Sequence, residues 1–288
     1  MMTNNEIYAA VTDRILECLE KGVVPWRKPW AVASHRNLSS RHVYKGINQI
    51  LLSCTAFASP YWVTLNQANQ LGGKVKRGER GTPIVFWKIY EKEKASGEVD
   101  KRFVLKRFTI FNAEQTEGIY VPSLQAPQTF NVIENCEKIV DSFENGPSVE
   151  HGGGRACYAP SLDKILMPPK PAFTSSEEYY STLFHEFVHS TGAPNRLARK
   201  GVTDPSFFAS HDYSQEELVA ECGAAFLCAE AGISPATLTN SAAYIASWAK
   251  QLRHEPKWIL NAASQAAKAA DLILGRARER ADCVDDAA

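Results

Sequence analysis

The feature that most constrains this chain is the motif His185-Glu186-Phe187-Val188-His189, inside a segment with helical periodicity. Two histidines four residues apart lie one turn apart on one helix face, so both imidazole rings can reach a single metal ion. The glutamate between them lies further round the helix, where it can orient and deprotonate a water activated by the metal. Because five-residue patterns also occur by chance, the surrounding sequence decides the interpretation.

The residues around the motif predict an amphipathic helix over 176–190. Ser175 and Glu178 predict a capping box at its start, and Gly192 predicts its end. At about 100° per residue, the two histidines fall opposite an arc of large apolar side chains. That arc contains Tyr180, Leu183, Phe184, Phe187 and Val188. The alternative, a solvated face or histidines bonded to neighbouring acids, is less favoured than a metal site.

The third metal ligand is predicted to be a carboxylate from the next helix, at 215–230. Catalytic zinc usually takes three protein ligands and keeps one position for water. The candidates are Glu216, Glu217 and Glu221. We choose Glu217 as the ligand and Glu221 as the acceptor of a histidine N–H. The competing interpretation places Glu217 in a capping box with Ser214.

A short hairpin is predicted upstream of the motif, from strands at 155–160 and 163–168. In zinc proteases built from a helix and an edge strand, an extended peptide adds to such a strand. Tyr158 and Tyr213 are candidate donors to an oxyanion, although ordinary packing is the more frequent role for each.

Charge is distributed unevenly, although 32 Lys and Arg balance 32 Asp and Glu. Residues 1–129 hold 18 basic against 11 acidic side chains, and residues 130–288 hold 14 against 21. Within residues 21–90 there are 11 basic side chains and one acid, Glu79, a net charge of +10. This asymmetry points to nucleic acid or another anionic partner of the first half.

The basic window at residues 21–90 is also rich in aromatic residues. Cations that follow phosphates and rings that stack on bases are typical of single-stranded nucleic acid binding. The strongest segment is Pro25–Trp30, whose two prolines stiffen a loop with two tryptophans and two cations. The candidate DNA-binding residues are Trp26, Arg27, Lys28, Trp30, Tyr44, Lys45, Lys74, Lys76, Arg77 and Arg80.

Other aromatic residues of this window favour a role in the core, because they alternate with aliphatic residues in predicted strands. They are Phe57, Trp62, Phe86 and Trp87. The sequence contains no zinc finger, helix-turn-helix spacing or RNP motif, so base-specific recognition of duplex DNA is not supported.

Composition indicates a globular chain in a reducing compartment. No run of about 18 apolar residues occurs, so we expect no membrane-spanning segment. Acidic residues within the first 20 positions argue against a secretory signal. This segment predicts an amphipathic helix, with Ile7, Val11, Ile15 and Leu19 on one apolar stripe. Seven scattered cysteines without a C-x-x-C pair argue against a disulfide framework and a thiolate zinc site. We therefore expect a cytoplasmic protein.

The domain boundary is predicted near residue 128, within an aperiodic segment that contains Pro122 and Pro127. The first half mixes helices with a long hairpin predicted at 82–90 and 102–111, whereas the second half is mostly helical. We predict an α+β fold of two domains, residues 1–128 and 129–288.

Ordered motifs along nearly the whole chain resemble the ArdC-type antirestriction proteins. The first half resembles their N-terminal domain, also related to a domain of certain plasmid primases, in VPWRKPW, YKGIN, YWVTLNQA, GERGTPIVFW and FNAEQTEG. The second half resembles the zincin-like (gluzincin-like) metallopeptidase domain of this family in YAPSLDKILMP, HEFVHSTG and EELVAE.

This resemblance implies a plasmid-encoded protein that binds single-stranded DNA, with weaker duplex binding, and shields DNA entering by conjugation from host restriction endonucleases. It implies His185, His189 and Glu217 as ligands of Zn²⁺, with Mn²⁺ as an alternative, and Glu186 as general base. The peptide substrate would be a protein bound to DNA. The rival interpretation is a non-enzymatic shield with a structural or vestigial metal. A nuclease is disfavoured, because two-metal sites need clustered carboxylates.

Overall fold

The structure is a computed structural model that describes residues 3–20, 24–25, 34–93, 99–122, 132–203, 211–233 and 241–276. Within these ranges, residues 87–93, 99–104, 132–133, 211–214 and 241–247 are described by their backbone alone. The described elements combine helices with small sheets, as the predicted α+β class requires.

The first half is built on a four-stranded sheet with helices around it. Its elements are α1 (Asn4–Glu20), β1 (Arg36–Asn37), α2 (Ile47–Ser53), β2 (Tyr61–Val63), α3 (Leu65–Gln70), β3 (Lys74–Val75), β4 (Thr82–Glu93), β5 (Val99–Asn112) and β6 (Thr116–Glu117). Strands β4 and β5 form the predicted long antiparallel hairpin, from Thr82 opposite Ile110 to Glu93 opposite Val99. The strand order is β1-β2-β5-β4, with β1 and β2 parallel, and β3 pairs with β6 separately.

Buried aromatic and aliphatic side chains form the core of this sheet. Trp62 is fully buried, and its indole N–H donates to Nδ1 of His35 at 3.1 Å. Phe57 and Phe86 pack against the same cluster and are partly buried. The core interpretation of these aromatic residues is confirmed, while the side chain of Trp87 lies outside the described part.

The described part of the second half is helical apart from one small sheet. Its elements are α4 (Val132–Ser142), β7 (Ser148–His151), β8 (Cys157–Ala159), β9 (Lys164–Met167), α5 (Ser176–Ser190), α6 (Lys200–Thr203), α7 (His211–Ala231), α8 (Ser241–His254) and α9 (Lys257–Ile273). The predicted hairpin is β8–β9, and β8 lies at an edge of the order β7-β9-β8. Strand β7 was not predicted, because the strand has only four residues, which are mostly polar and largely exposed.

Helix α1 connects the two halves of the sequence through one core. Its predicted apolar stripe, Ile7, Val11, Ile15 and Leu19, is buried, and the helix packs against α8 and α9. The hydroxyl of Thr12 donates to the carbonyl of Pro256 at 2.8 Å. The largest hydrophobic cluster therefore contains residues from both sides of position 128.

The described cysteines take part in packing. Cys18, Cys54, Cys136, Cys157, Cys222 and Cys228 form no disulfide bonds within the described residues. Burial raises the pKa of Cys136 and of Cys228 to about 12, so both remain protonated at neutral pH. Among the described helices, none has the length and hydropathy that a membrane span requires.

Candidate metal centre

Helix α5 carries the H-E-x-x-H motif and has the predicted bounds. The hydroxyl of Ser175 caps its start by accepting the backbone N–H of Glu178 at 3.2 Å. The carboxylate of Glu178 does not complete a capping box, because it accepts the N–H and the hydroxyl of Thr174 instead. The predicted apolar arc of α5 is buried. His185 and His189 lie on the opposite side, with 12 % and 14 % of their side chains exposed.

Helix α7 crosses α5 closely enough to bring Glu217 to the histidines. Gly223 lies at the crossing, where a Cβ would stand 2.7 Å from a methyl carbon of Val188. A larger residue would therefore push the helices apart. Because α7 begins at His211, Ser214 lies inside the helix, and the capping-box interpretation of Glu217 is wrong.

The structure brings His185, His189 and Glu217 together. The two Nε2 atoms are 3.1 Å apart, and each lies 3.6 Å from one oxygen of Glu217. In a tetrahedral zinc site with bonds of about 2.0–2.1 Å, neighbouring ligand atoms are separated by about 3.4 Å. The spacing and the N,N,O donor set therefore fit a divalent metal ion. Within the described ranges, no second group of three metal-binding side chains meets this distance criterion.

A buried ion pair holds His189 in place. Its Nδ1 lies 3.2 Å from Oε1 of Glu216, which leaves Nε2 directed at the other two donors. Arg199 donates to both oxygens of Glu216, at 2.9 and 2.7 Å, and to the carbonyl of Val188 at 2.6 Å. Both charged side chains are about 95 % buried, so their pairing is needed to offset desolvation.

This arrangement adds an acceptor beyond the predicted Glu221. Glu216, the immediate neighbour of Glu217 on α7, faces Nδ1 of His189. The charge of Glu221 acts on His185, and its role as acceptor of a histidine N–H stays a prediction. Helical phase placed Glu217 and Glu221 on one face but carried no information about Arg199, which reaches the site from the segment after α5. The one signal for this contact in the sequence was a basic residue soon after the end of α5.

Electrostatics at the site are dominated by carboxylates. Burial lowers the pKa of His185, but a hydrogen bond to Glu217 and the charges of Glu186, Glu217 and Glu221 outweigh it and raise the pKa to about 9. Burial also opposes the charged form of Glu216 and so raises its pKa. The hydrogen bonds from Arg199 and His189 outweigh burial, so the pKa of Glu216 lies below the ordinary value for a glutamate. A divalent cation would replace the proton on His185, since ligands bind in their deprotonated form.

Glu186 is held against the edge strand. It is 8 % exposed, and its Oε2 accepts the backbone N–H of Tyr158 in β8 at 2.7 Å. The hydroxyl of Tyr158 donates to Asp163 at 2.9 Å. Burial and this hydrogen bond raise the pKa of Tyr158 to about 12. Its hydroxyl is therefore already engaged, and the side chain of Tyr213 lies outside the described part.

The candidate DNA-binding residues that the structure describes lie in two separate segments of the first half. Lys74, Lys76, Arg77 and Arg80 are exposed on β3 and the loop after it. Lys74 pairs with Glu117 at 3.1 Å, and Nζ of Lys76 donates to a backbone carbonyl at 2.7 Å.

Two further candidates, Tyr44 and Lys45, lie in the segment before α2. Tyr44 is 4 % exposed and packs in the Trp62 cluster, so it presents no open ring face for stacking. Lys45 forms an ion pair with Asp271 of α9 at 3.0 Å. Trp26, Arg27, Lys28 and Trp30 lie outside the described residues.

Two family models match this chain in sequence order. Residues 5–111 match the N-terminal domain of the anti-restriction factor ArdC, and residues 134–265 match a zincin-like metallopeptidase. The predicted fold class, two domains of which the second is zincin-like, is therefore confirmed.

Similar proteins include one of known structure. The chain is 36 % identical to the antirestriction protein ArdC from plasmid R388, covering 92 % of this chain and 96 % of that one. The TM-scores are 0.76 for its metal-free and 0.75 for its Mn(II)-bound crystal structure. The uncharacterized protein y4eC of Sinorhizobium fredii is 34 % identical over 93 % of this chain and 92 % of its own length. The DNA primase TraC of Escherichia coli is 37 % identical over 92 % of this chain, which spans about a quarter (26 %) of that primase.

Proposed function

This chain belongs to the family of the antirestriction protein ArdC, and we propose that it binds single-stranded DNA and protects incoming plasmid DNA from host restriction endonucleases. Similarity to R388 ArdC over 96 % of that protein supports the antirestriction role. The charge of +10 in residues 21–90 supports an anionic partner for the first half. Single strands are favoured over duplex, because the sequence contains no groove-binding motif.

We further propose a divalent metal held by Nε2 of His185, Nε2 of His189 and the carboxylate of Glu217. The observation that carries this assignment is the 3.1–3.6 Å spacing of the three donors beside the buried Glu216–Arg199 pair. Zinc suits two imidazoles and one carboxylate, and Mn²⁺, present in a structure of R388 ArdC, is the alternative. The bound cation would supply Lewis acidity to water and to a peptide carbonyl.

Glu186 is the proposed general base. It would take a proton from the attacking water and later pass it to the leaving amine. In the structure its Oε2 accepts the N–H of Tyr158 on edge strand β8. A peptide that adds to β8 would supply a competing carbonyl for this N–H and so release Glu186 for catalysis. The proposed substrate is a protein bound to the incoming DNA.

A non-enzymatic shield is the second candidate function. The exposed basic residues at 74–80 are separate from helix α5, which carries the H-E-x-x-H motif. Coating a DNA strand requires stoichiometric binding of the protein but no chemical reaction. On this hypothesis the metal has a structural or vestigial role.

One set of measurements tests these proposals on the full chain. Metal content is determined on the purified protein, and hydrolysis of DNA-binding proteins is followed with and without single-stranded DNA. Restriction of an incoming plasmid is then compared with and without the protein. We expect one metal ion per chain, hydrolysis that requires it, and fewer restricted plasmids. Unchanged restriction would overturn the antirestriction role, and metal-loaded protein without hydrolysis of any tested protein would favour the shield.

A further inference from the structure

A half-open cleft lies where the two family-matched regions meet. The segment before and within α2 forms one side, and helices α7 and α9 form the other. Its volume is about 50 Å³, room for about four waters at ~10–15 Å³ each. A closed cavity that binds benzene has about 150 Å³, so this half-open cleft can take one edge of a planar ring while the rest of the ring projects from the opening. The walls include Tyr44, Phe226, Ala229, Ala267 and Leu274, which make them largely apolar.

An unsatisfied amide lies in the wall of this cleft. Gln49 is 3 % exposed, and neither Oε1 nor Nε2 has a hydrogen-bond partner among the described residues. Native proteins leave few buried polar atoms unpaired, so each one calls for a physical explanation. An amide offers both a donor and an acceptor, and a ligand with a complementary edge would satisfy both.

Two cations lie at the rim of the cleft, each in an exposed ion pair. Lys45 pairs with Asp271 at 3.0 Å, with 40 % of its side chain exposed, and Arg276 pairs with Glu230. Exposed pairs of this kind contribute little to stability. A phosphate can therefore take either cation from its carboxylate without a large cost to the fold.

We propose that this cleft binds one base of the single-stranded DNA, an inference that rests on the proposed DNA-binding function. Phe226 and Leu274 would contact the base plane, and the amide of Gln49 would bond to the base edge, as Gln and Asn do with adenine. Lys45 and Arg276 would contact the flanking phosphates. The base would thus touch α2 from the ArdC-like region and α7 and α9 from the zincin-like region.

A peptide side chain fits these observations less well. An apolar side chain would fill the cleft but leave the Gln49 amide unpaired, whereas a polypeptide backbone needs a strand edge or a long groove. The site also differs from the metal centre. Phe226 follows Glu217 by nine residues of α7, which is about 13 Å along the helix axis.

The test compares a base-bearing single strand with an abasic strand that carries the same number of phosphates. Binding of both to the full chain is measured by fluorescence anisotropy. Gln49→Leu removes the amide at similar volume, and Ala267→Phe fills the cleft from its partly exposed side. The matched controls are Gln251→Leu on α8 and Ala10→Phe on the exposed face of α1.

We expect the wild-type chain to bind the base-bearing strand about tenfold more tightly than the abasic strand. Both cleft variants should reduce this ratio to about twofold with abasic binding unchanged, and the controls should keep it. If the wild-type ratio is near one, or both variants retain it, the cleft is not the base site, while the proposed DNA binding stands. If the wild-type chain binds neither strand, the proposed function itself fails.

Photocrosslinking maps the binding position independently. A strand that contains 4-thiothymidine should crosslink to residues 43–49 or 226–230. Crosslinks confined to residues 74–80 would overturn the proposal. Retained base preference in both variants, together with altered cleavage of a DNA-bound protein, would identify the cleft as a peptide site instead.

Discussion

The candidate metal centre and the basic segment at residues 74–80 differ in how their side chains are held. At the metal centre, buried side chains from α5, α7 and the segment between them are fixed by specific bonds, such as the two that Arg199 makes to Glu216. In the basic segment, Arg77 and Arg80 are exposed on a loop that turns at Gly78, where φ is +89°. The candidate metal centre therefore depends on the exact positions of its side chains, whereas the basic segment depends on the number of positive charges it presents.

This difference predicts different responses to mutation. Removing one group from the buried set leaves its partners desolvated and misplaced, so effects should be large and specific to that residue. Removing one exposed cation leaves a single phosphate without its counter-charge, so effects should be modest, similar among residues and sensitive to salt. The following predictions test this contrast in order of decreasing effect, with the two changes at Glu186 taken together.

The largest effect is expected for Glu186→Gln. It preserves the shape of the side chain but removes the proposed base, so hydrolysis should fall by about 10²–10⁴-fold. Metal content should be unchanged, because the three donor residues remain. Hydrolysis is followed with a DNA-bound protein as substrate, and a variant as active as the wild type would assign the base elsewhere.

The same position separates the two proposed activities. Glu186→Ala removes no basic group, so affinity for single-stranded DNA should change by less than about twofold, or ~0.4 kcal/mol. We expect this variant still to protect DNA from restriction. Loss of protection in a folded, metal-loaded variant would show that hydrolysis is the protective mechanism.

Loss of a metal donor should abolish stoichiometric binding. His185→Ala and Glu217→Ala each leave two donors, so affinity should fall by more than the ~10–100-fold typical of outer-shell changes. Metal content is measured after dialysis against a weak chelator, with Glu134→Ala on the exposed side of α4 as control. If Glu217→Ala still binds a full complement of metal, the third ligand is Glu216 or Glu221 instead.

A smaller loss is expected for Glu216→Gln. The amide can still bond to His189, but the charge that pairs with Arg199 is gone, so metal affinity should fall by about 10–100-fold. Circular dichroism establishes that the variant is folded. The same change at Glu221 should have the smaller effect on metal affinity, and the reverse order would make Glu221 the more important histidine acceptor.

Single changes in the basic segment should each have a modest effect. Arg77→Ala and Arg80→Ala should weaken binding of single-stranded DNA severalfold and reduce the salt slope by about 0.7 for each phosphate that is no longer neutralised. Lys250→Ala, exposed on α8, serves as control. An all-or-none loss from one substitution would contradict the charge-based description of this segment.

The smallest effect concerns acid stability near β8. Hydrogen bonds from Arg196 lower the pKa of Asp163 against the opposing effect of burial, and the hydroxyl of Tyr158 adds to the lowering. The folded-state pKa lies below the ordinary 3.8. Ionised Asp163 therefore contributes its full stabilisation of the fold above about pH 4. This contribution is lost as pH falls through the lowered pKa of Asp163 in the folded state.

Thermal unfolding at several pH values tests the direction of this pH dependence. Asp163→Asn should lower stability at pH 7 by less than about 1 kcal/mol, because the carboxylate is partly exposed. The difference from the wild type should shrink in acid. The exposed control Asp141→Asn should show neither behaviour, and a difference that grows in acid would refute the assignment.

Local patterns in the sequence were enough to determine several elements of the fold. The period of apolar residues and a serine cap predicted α5 at 176–190, and the same period identified the buried stripe of α1. Alternating β-branched and aromatic residues predicted the β4–β5 hairpin. Each of these elements carries its own periodicity of apolar residues, which is visible along the chain without knowledge of its packing partners.

The sequence by itself also determined the arrangement of residues at the centre of the candidate site. Two histidines on one helix face and a glutamate between them follow from a spacing of four residues, so no tertiary information is needed. The carboxylate from α7 was narrowed to three candidates, of which the structure brings Glu217 to the histidines.

Only the tertiary structure decided which distant groups meet. The Arg199–Glu216 pair, the crossing of Gly223 against Val188, and the packing of α1 on α8 and α9 join residues that no period relates. The burial of Tyr44 and the unpaired amide of Gln49 likewise depend on neighbours contributed from afar. Helical and strand periods describe one element at a time, whereas desolvation and pairing of buried polar groups depend on how separate elements pack together.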